Sequence, residues 1–277
     1  MDLELKDVHV LVTGANGGIG FETTRVFLEQ GAIVTAQYRS SNATLLPLTA
    51  QYGPTRLRLV PADLTSESAV QVLFAPSTLG RVEVLVVNHA ISERPTPVKD
   101  MTLARWQHTL DNNLTSSFLV VREYLRQLEH GVTTGSANAF GERAAIVLIG
   151  STAGKYGEAE NADYAASKSA MMYGFTLSLK NEIVKIAPKG RVNCIGPGWV
   201  KTPMATEALA NPLTIYRALA TTPLKKVAEA VDIAQQIVVL SSAKVSGHIT
   251  GQVLMIEGGM EGRLLNRPVD LGLPDDL

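Results

Sequence analysis

The chain has one cysteine in 277 residues, 5% aromatic residues, almost no net charge and no long apolar run. A single thiol excludes an intramolecular disulfide framework, and Cys194, between strand-like Val192 and a Pro-Gly turn, reads as a small buried hydrophobe rather than a nucleophile. A formal net charge of -1 with acids and bases interspersed leaves no surface suited to nucleic acid. No stretch approaches the ~18 apolar residues of a membrane span. The N-terminus, Met1-Asp2-Leu3-Glu4, lacks the basic and apolar regions of a secretory signal, so a cytoplasmic location is expected. His89, His108, His130 and His248 are scattered without ligand spacing, and no metal is expected. No repeat or low-complexity linker divides residues 1–277, which read as one domain.

What is present is alternation. Apolar runs near 8–13, 32–38, 56–61, 82–88, 144–150, 190–195 and 252–256 are separated by helical patterns, the longest over about 102–129 and 161–186. This pattern predicts an α/β fold: a doubly wound, seven-stranded parallel sheet with helices on both faces. Ligands of such sheets bind at the carboxyl ends of the strands. Gly14, Asn88, Ser151 and Pro197 all fall at predicted carboxyl ends, which places them on one edge of the molecule.

Three motifs carry chemistry. Tyr164 and Lys168 stand one helical turn apart and share a face. Tyrosine is a poor acid near neutral pH, with a reference pKa of about 10, and an adjacent cation favours its phenolate. That pairing suits proton transfer at a carbonyl or alcohol. Ser151 ends the run Ala145–Gly150, where its hydroxyl can face the tyrosine. Near the N-terminus, Thr13-Gly14-Ala15-Asn16-Gly17-Gly18-Ile19-Gly20 reads as a strand end, a glycine-rich turn and a helix start, whose free amides and dipole hold a phosphate. Its glycines fall at 14, 18 and 20, not in the commoner G-x-G-x-x-G spacing.

Together these residues resemble the short-chain dehydrogenase/reductase family, whose glycine motif is T-G-x-x-x-G-x-G and whose active site is a Ser with Tyr-x-x-x-Lys. The resemblance runs from about Leu5 to Gly259 and takes in Asp63, Asn88, Asn113 within Asn112-Asn113-Leu114, and Asn193 to Gly198 with Thr202. It implies a Rossmann-like domain with catalytic Asn113, Ser151, Tyr164 and Lys168. It also implies a nicotinamide dinucleotide held by Gly14, Asn16, Gly18, Ile19, Gly20, Tyr38, Arg39, Ser40, Asp63, Leu64, Asn88, Ala90, Tyr164, Lys168, Pro197, Gly198, Val200 and Thr202. In that scheme Tyr164 gives or takes the proton of the substrate oxygen, which Ser151 holds. Lys168 binds the nicotinamide ribose and lowers the tyrosine's pKa, while Asn113 holds a water that links Lys168 to solvent.

At the end of the second strand, Gln37-Tyr38-Arg39-Ser40-Ser41-Asn42 carries Arg39 where NADP-dependent relatives place a cation for the 2'-phosphate, and no acid at Tyr38 for a 2'-hydroxyl. NADP(H) is the expected cofactor, and a small-molecule ketone or secondary alcohol the expected partner. The apolar residues Met204, Leu209, Leu213 and Tyr216 of a lid over about 203–227 predict an apolar substrate. Phe118, Val121, Met171, Met172, Phe175 and Leu179 on the long helices suggest pairing into a tetramer or dimer. The 129–143 connection reads as a surface loop and 262–277 as a tail.

Two departures stand against the family pattern. His89-Ala90-Ile91 follows Asn88 where Asn-Ala-Gly is common, and isoleucine does not share glycine's freedom at positive φ. Asn181, before Glu182, replaces an arginine frequent in reductases acting on acyl carrier proteins. A 3-oxoacyl-thioester reductase remains the alternative enzyme, and a non-catalytic cofactor-binding regulator the alternative of another class.

Overall fold

The computed structural model describes residues 2–133, 141–261 and 266–274; the centre of the predicted 129–143 loop and much of the 262–277 tail lie outside the described residues. Strands β1 (His9–Val12), β2 (Ile33–Tyr38), β3 (Leu57–Pro61), β4 (Val84–Val87), β5 (Ala145–Ile149), β6 (Arg191–Pro197) and β9 (Val253–Ile256) form one parallel sheet. Two short strands, β7 (Val200–Lys201) and β8 (Ala228–Glu229), pair separately. The sheet order is β3-β2-β1-β4-β5-β6-β9, so the chain winds outward from β1 in both directions. The reversal lies between β1 and β4, and a crevice opens there at the strand carboxyl ends.

The strands read as continuous apolar runs because helices cover both faces. Every residue of β4 and β5 is buried. On one face, Val10, Val12, Val34, Val86 and Val147 pack with Phe27 from helix Gly18–Glu29 and Ile233 and Ile237 from helix Ala230–Ser241. On the other, Leu85, Val87, Ile146 and Leu148 meet Val120, Tyr124, Met171, Met172 and Ile183. Each fully buried apolar side chain of this size contributes roughly 1.5–3 kcal/mol.

The two long helical stretches are continuous, but each contains a π segment. Leu103–Leu110 runs through Asp111–Thr115 into Ser116–Thr133, and Ala162–Ser169 runs through Ala170–Phe175 into Thr176–Ile186. A wide turn of this kind shifts the helical register, and Asn113 sits within the first one. Four of the residues expected to pair subunits, Val121, Met171, Met172 and Leu179, lie instead in the core beneath the helices. The large apolar residues left open on these helices are Leu103, Phe118, Tyr173, Leu177 and Val184. No helix among the described residues is long and apolar enough to cross a membrane.

Candidate functional site

The β1 turn is shaped by close approaches that only glycine permits. Gly14 has φ 59°, and a Cβ there would come within 2.9 Å of His89 Cα. At Gly20 a Cβ would overlap Gly14 O, and at Gly18 it would approach Thr202 Cγ2 to 2.8 Å. Phe21 donates the first helical bond, to Gly17 O at 2.7 Å. The N–H groups of Gly18, Ile19 and Gly20 precede it and are the open donors of a helix start. Thr202, at the end of β7, and the Pro197-Gly198 turn, whose Gly198 N–H donates to Ile256 O at 3.0 Å, are thus brought to the same rim.

Hydrogen bonds hold this turn to its neighbours. Gly14 N–H donates to Gln37 Oε1 at 2.9 Å, and Gln37 Nε2 donates to Ala62 O at 2.8 Å, beside Asp63 and Leu64. Asn88 Nδ2 donates to Thr13 O and Gly14 O, each at 3.1 Å. The Asp63 carboxylate accepts from Thr65 Oγ1 at 2.7 Å and its N–H at 3.0 Å; these bonds, with the nearby positive charge of Arg39, hold its pKa below the usual range. Arg39 and Ser40 are exposed just beyond Tyr38, and Asn16 O accepts from Thr44 Oγ1 at 3.1 Å. An anion and a nucleoside fit this cradle: open amides at one end, a guanidinium at the other.

His89 fills its place without strain. Its Nδ1 lies 2.8 Å from Thr13 Oγ1 and its Nε2 2.8 Å from Ser116 Oγ, while Ser116 Oγ donates to Asn112 O at 2.7 Å. Thr13 Oγ1 likewise donates to Val86 O at 3.2 Å, so the imidazole sits between two hydroxyls that are each tied to a backbone carbonyl. Burial and the Lys168 charge lower the imidazole pKa to about 3, so it stays neutral. Ile91 keeps out of positive φ. Its N–H donates to Asn113 Oδ1 at 2.8 Å and its O accepts from Asn113 Nδ2 at 3.0 Å, so this asparagine grips the chain beside Ala90.

Ser151 caps the short helix Thr152–Tyr156, its Oγ accepting from Ala153 N–H at 3.1 Å, and its hydroxyl acts to lower the Tyr164 pKa. Lys168 is buried; Nζ donates to Ile149 O at 2.7 Å and lies 5.7 Å from the Tyr164 ring centroid. Burial pushes Tyr164 up to about 12, against the opposing effect of Ser151, and pushes Lys168 down to about 8. Desolvation of Tyr164 thus acts against the depression expected from its pairing with Lys168. Asn113 Nδ2 also reaches Ser167 Oγ at 3.3 Å, which ties the two helices together.

Sequence reasoning missed the supports. Asp163, immediately before Tyr164, is buried; burial would raise its pKa, but bonds from Arg105 Nε (3.0 Å) and Thr109 Oγ1 (2.7 Å) keep it low. Arg105 also donates to Arg94 O and Thr96 Oγ1, which fastens the loop after β4 to the tyrosine helix. Gln37, buried on β2, is a second such support.

The lid forms short helices, Pro203–Ala205, Thr206–Leu209 and Pro212–Leu219, with Met204 exposed and Leu209, Leu213 and Tyr216 half-buried. A cavity of about 370 Å³ is lined by Leu219 and Leu224 of this segment with Trp199, Ile256 and Glu257, and holds none of the predicted catalytic residues. No metal-binding cluster occurs among the described residues.

A family model described as enoyl-(acyl carrier protein) reductase matches residues 14–261. Nodulation protein G of Rhizobium sp. (strain N33) is 32% identical over 262 residues, 93% of this chain and 98% of that protein. The 3-oxoacyl-[acyl-carrier-protein] reductase MabA of Mycobacterium bovis is 31% identical over 253 residues, 91% of this chain and 92% of that protein. Among solved structures, a putative gluconate dehydrogenase from Agrobacterium tumefaciens superposes with a TM-score of 0.83 at 26% identity, covering 94% of this chain and 98% of that one.

Proposed function

Because the chain belongs to the short-chain dehydrogenase/reductase family and is an oxidoreductase acting on CH-OH and C=O groups, we propose that it reduces a ketone with NADPH, or oxidises the corresponding secondary alcohol, on a small and largely apolar substrate. The observation that carries the reading is Lys168, buried with its Nζ on Ile149 O at 2.7 Å and 5.7 Å from the Tyr164 ring centroid, with Ser151 at the carboxyl end of β5. When bound, a nicotinamide supplies the hydride.

The chain's own residues supply position and protons. Ser151 holds the carbonyl oxygen, and Tyr164 delivers its proton to that atom as negative charge develops there. A tyrosine pushed up to about 12 is a suitable donor in the reductive direction, since it stays protonated at working pH. Lys168, bonded to Ile149 O, keeps two N–H donors for the ribose and for proton return. Asn113 holds the Ile91 backbone, and its place in the π segment supports the water-holding role. Arg39, Ser40 and the helix-start amides of Gly18, Ile19 and Gly20 bind the phosphates.

Mixing the protein anaerobically with NADPH and a panel of ketones, and following the loss of NADPH absorbance, tests the reading. Binding of NADPH without turnover of any ketone would favour the regulatory alternative. The 3-oxoacyl-thioester reading draws on the likeness to a 3-oxoacyl-[acyl-carrier-protein] reductase and on exposed Arg217, Lys225 and Lys226 near the lid. A hundredfold higher kcat/KM for acetoacetyl thioesters than for cyclic or aryl ketones would select it.

A further inference from the structure

The helix that carries Tyr164 and Lys168 is anchored at two points. One is Lys168, whose Nζ donates to Ile149 O at the end of β5. The other is Asp163, in the first turn of the helix and 1% exposed. Its Oδ2 accepts from Arg105 Nε at 3.0 Å and from Thr109 Oγ1 at 2.7 Å, and its Oδ1 from Arg105 Nη2 at 3.4 Å. Arg105 and Thr109 are four residues apart on helix Leu103–Leu110, so they stand on one face of it and meet the carboxylate together.

The remaining nitrogen of that guanidinium turns the other way. Arg105 Nη1 donates to Arg94 O and Thr96 Oγ1 in the loop after β4. Thr96 N–H in turn donates to Glu160 O at 2.7 Å, and Glu160 has φ 66°, a strained conformation that persists only where its surroundings hold it. The near end of the same loop belongs to the glycine turn: Asn88 Nδ2 donates to Gly14 O, and Ile91 is held on both sides by Asn113. One side chain thus joins the residue before Tyr164 to a loop that starts at the predicted dinucleotide cradle.

Stability does not account for this pair. Taking a carboxylate and a guanidinium out of water offsets much of their attraction, and an apolar pair of similar volume is often as stable or more so. What an apolar pair lacks is direction. The planar fork holds its three nitrogens in fixed relation, so Asp163, Arg94 and Thr96 are set in one geometry. A group in proton transfer must lie within about half an ångström of its productive place. We propose that Arg105 and Asp163 are positioning residues for the proton transfer: they act through Tyr164, by fixing its helix against the loop that leaves the cofactor cradle. This rests on the carbonyl-reductase reading and deepens it.

The test is steady-state kinetics on one ketone that the wild-type protein reduces, with NADPH affinity and thermal melts measured on the same preparations. Arg105→Lys keeps the charge but not the fork, and Asp163→Asn keeps one acceptor oxygen; each should lower kcat at least tenfold with the NADPH Kd within twofold of wild type. The solvent isotope effect on kcat should rise in both, because proton transfer becomes slow relative to the other steps; a loss of stability alone leaves it unchanged. The double variant Arg105→Met with Asp163→Leu separates the two roles: its melting temperature should return toward wild type while kcat stays at least tenfold down. Should the double variant not fold, Arg105→Lys decides by the same criteria. Wild-type kcat in a folded single variant, or recovery of kcat along with the melting temperature in the double variant, would overturn the positioning role alone. A wild-type protein inactive on every ketone would overturn the carbonyl-reductase reading, and the positioning role with it.

Discussion

Arg39 Nη1 donates to Asn112 Oδ1 at 3.2 Å, joining the end of β2 to the helix that carries Asn113. The Asn112 amide is oriented for this by its own donation to His108 O at 2.9 Å. In the sheet order β1 lies between β2 and β4, so the guanidinium reaches over the carboxyl end of β1, where the crevice opens. One N–H is spent on Asn112, and the rest of the fork is free for a phosphate.

Arg39→Ala should weaken NADPH binding by about tenfold or more, roughly 1.4 kcal/mol, and leave NADH little changed. Titration of both cofactors by fluorescence or calorimetry measures this. Equal losses for the two would make Arg39 structural and remove the support for NADP(H).

Tyr164→Phe should abolish most turnover while NADPH affinity stays close to wild type, because only the ionisable hydroxyl is lost. Lys168→Ala should damage both, since it also empties a buried position anchored to Ile149 O. Retention of more than about a tenth of kcat in Tyr164→Phe, a barrier change below about 1.4 kcal/mol, would exclude the tyrosine as proton donor.

Gly20→Ala should fold poorly or lose cofactor binding, as its Cβ would overlap the Gly14 carbonyl. A cost of about 1–3 kcal/mol is expected for such an overpacked site. Denaturant melts and cofactor titration together report it; wild-type behaviour in both would mean that the turn is looser than its geometry.

Acid should destabilise the protein through His89. Its pKa falls from 6.5 to about 3 on folding, so the unfolded chain binds the extra proton between these values. The contribution is fully present above pH 6.5 and is lost as pH falls toward 3, amounting to roughly 2–5 kcal/mol. His89→Asn should flatten the slope of unfolding free energy against pH across that window. An unchanged slope would place the acid sensitivity in other groups, His9 among them, whose pKa burial also lowers.

The exposed Leu103, Phe118, Tyr173, Leu177 and Val184 are proposed to pair with a second copy, giving a dimer or tetramer. Light scattering at micromolar concentration should show at least twice the chain mass of 29.7 kDa. Replacing Phe118 and Leu177 by Glu should lower that mass, and a wild-type monomer would rule the pairing out.

The sequence by itself determined the strand runs, the glycine turn and the one-turn spacing of Tyr164 and Lys168. These are local matters: an apolar run buried on both sides, a turn that admits no Cβ and a helical repeat are all written within a few residues. Strand ends were legible to within a residue or two, and the strand-end rule gathered Gly14, Asn88, Ser151 and Pro197 on one edge. The tertiary structure decided what distant residues do to one another. Which way Val121 and Met171 face depends on where the helices seat on the sheet. Arg105 bonding Asp163, Gln37 bonding Gly14 and Arg39 reaching Asn112 are encounters between segments far apart in the chain, with no local signature. Burial, too, is a property of the packed molecule, and it pushes Tyr164 up to about 12 and Lys168 down to about 8, opposing the shift that their spacing alone suggests for the tyrosine.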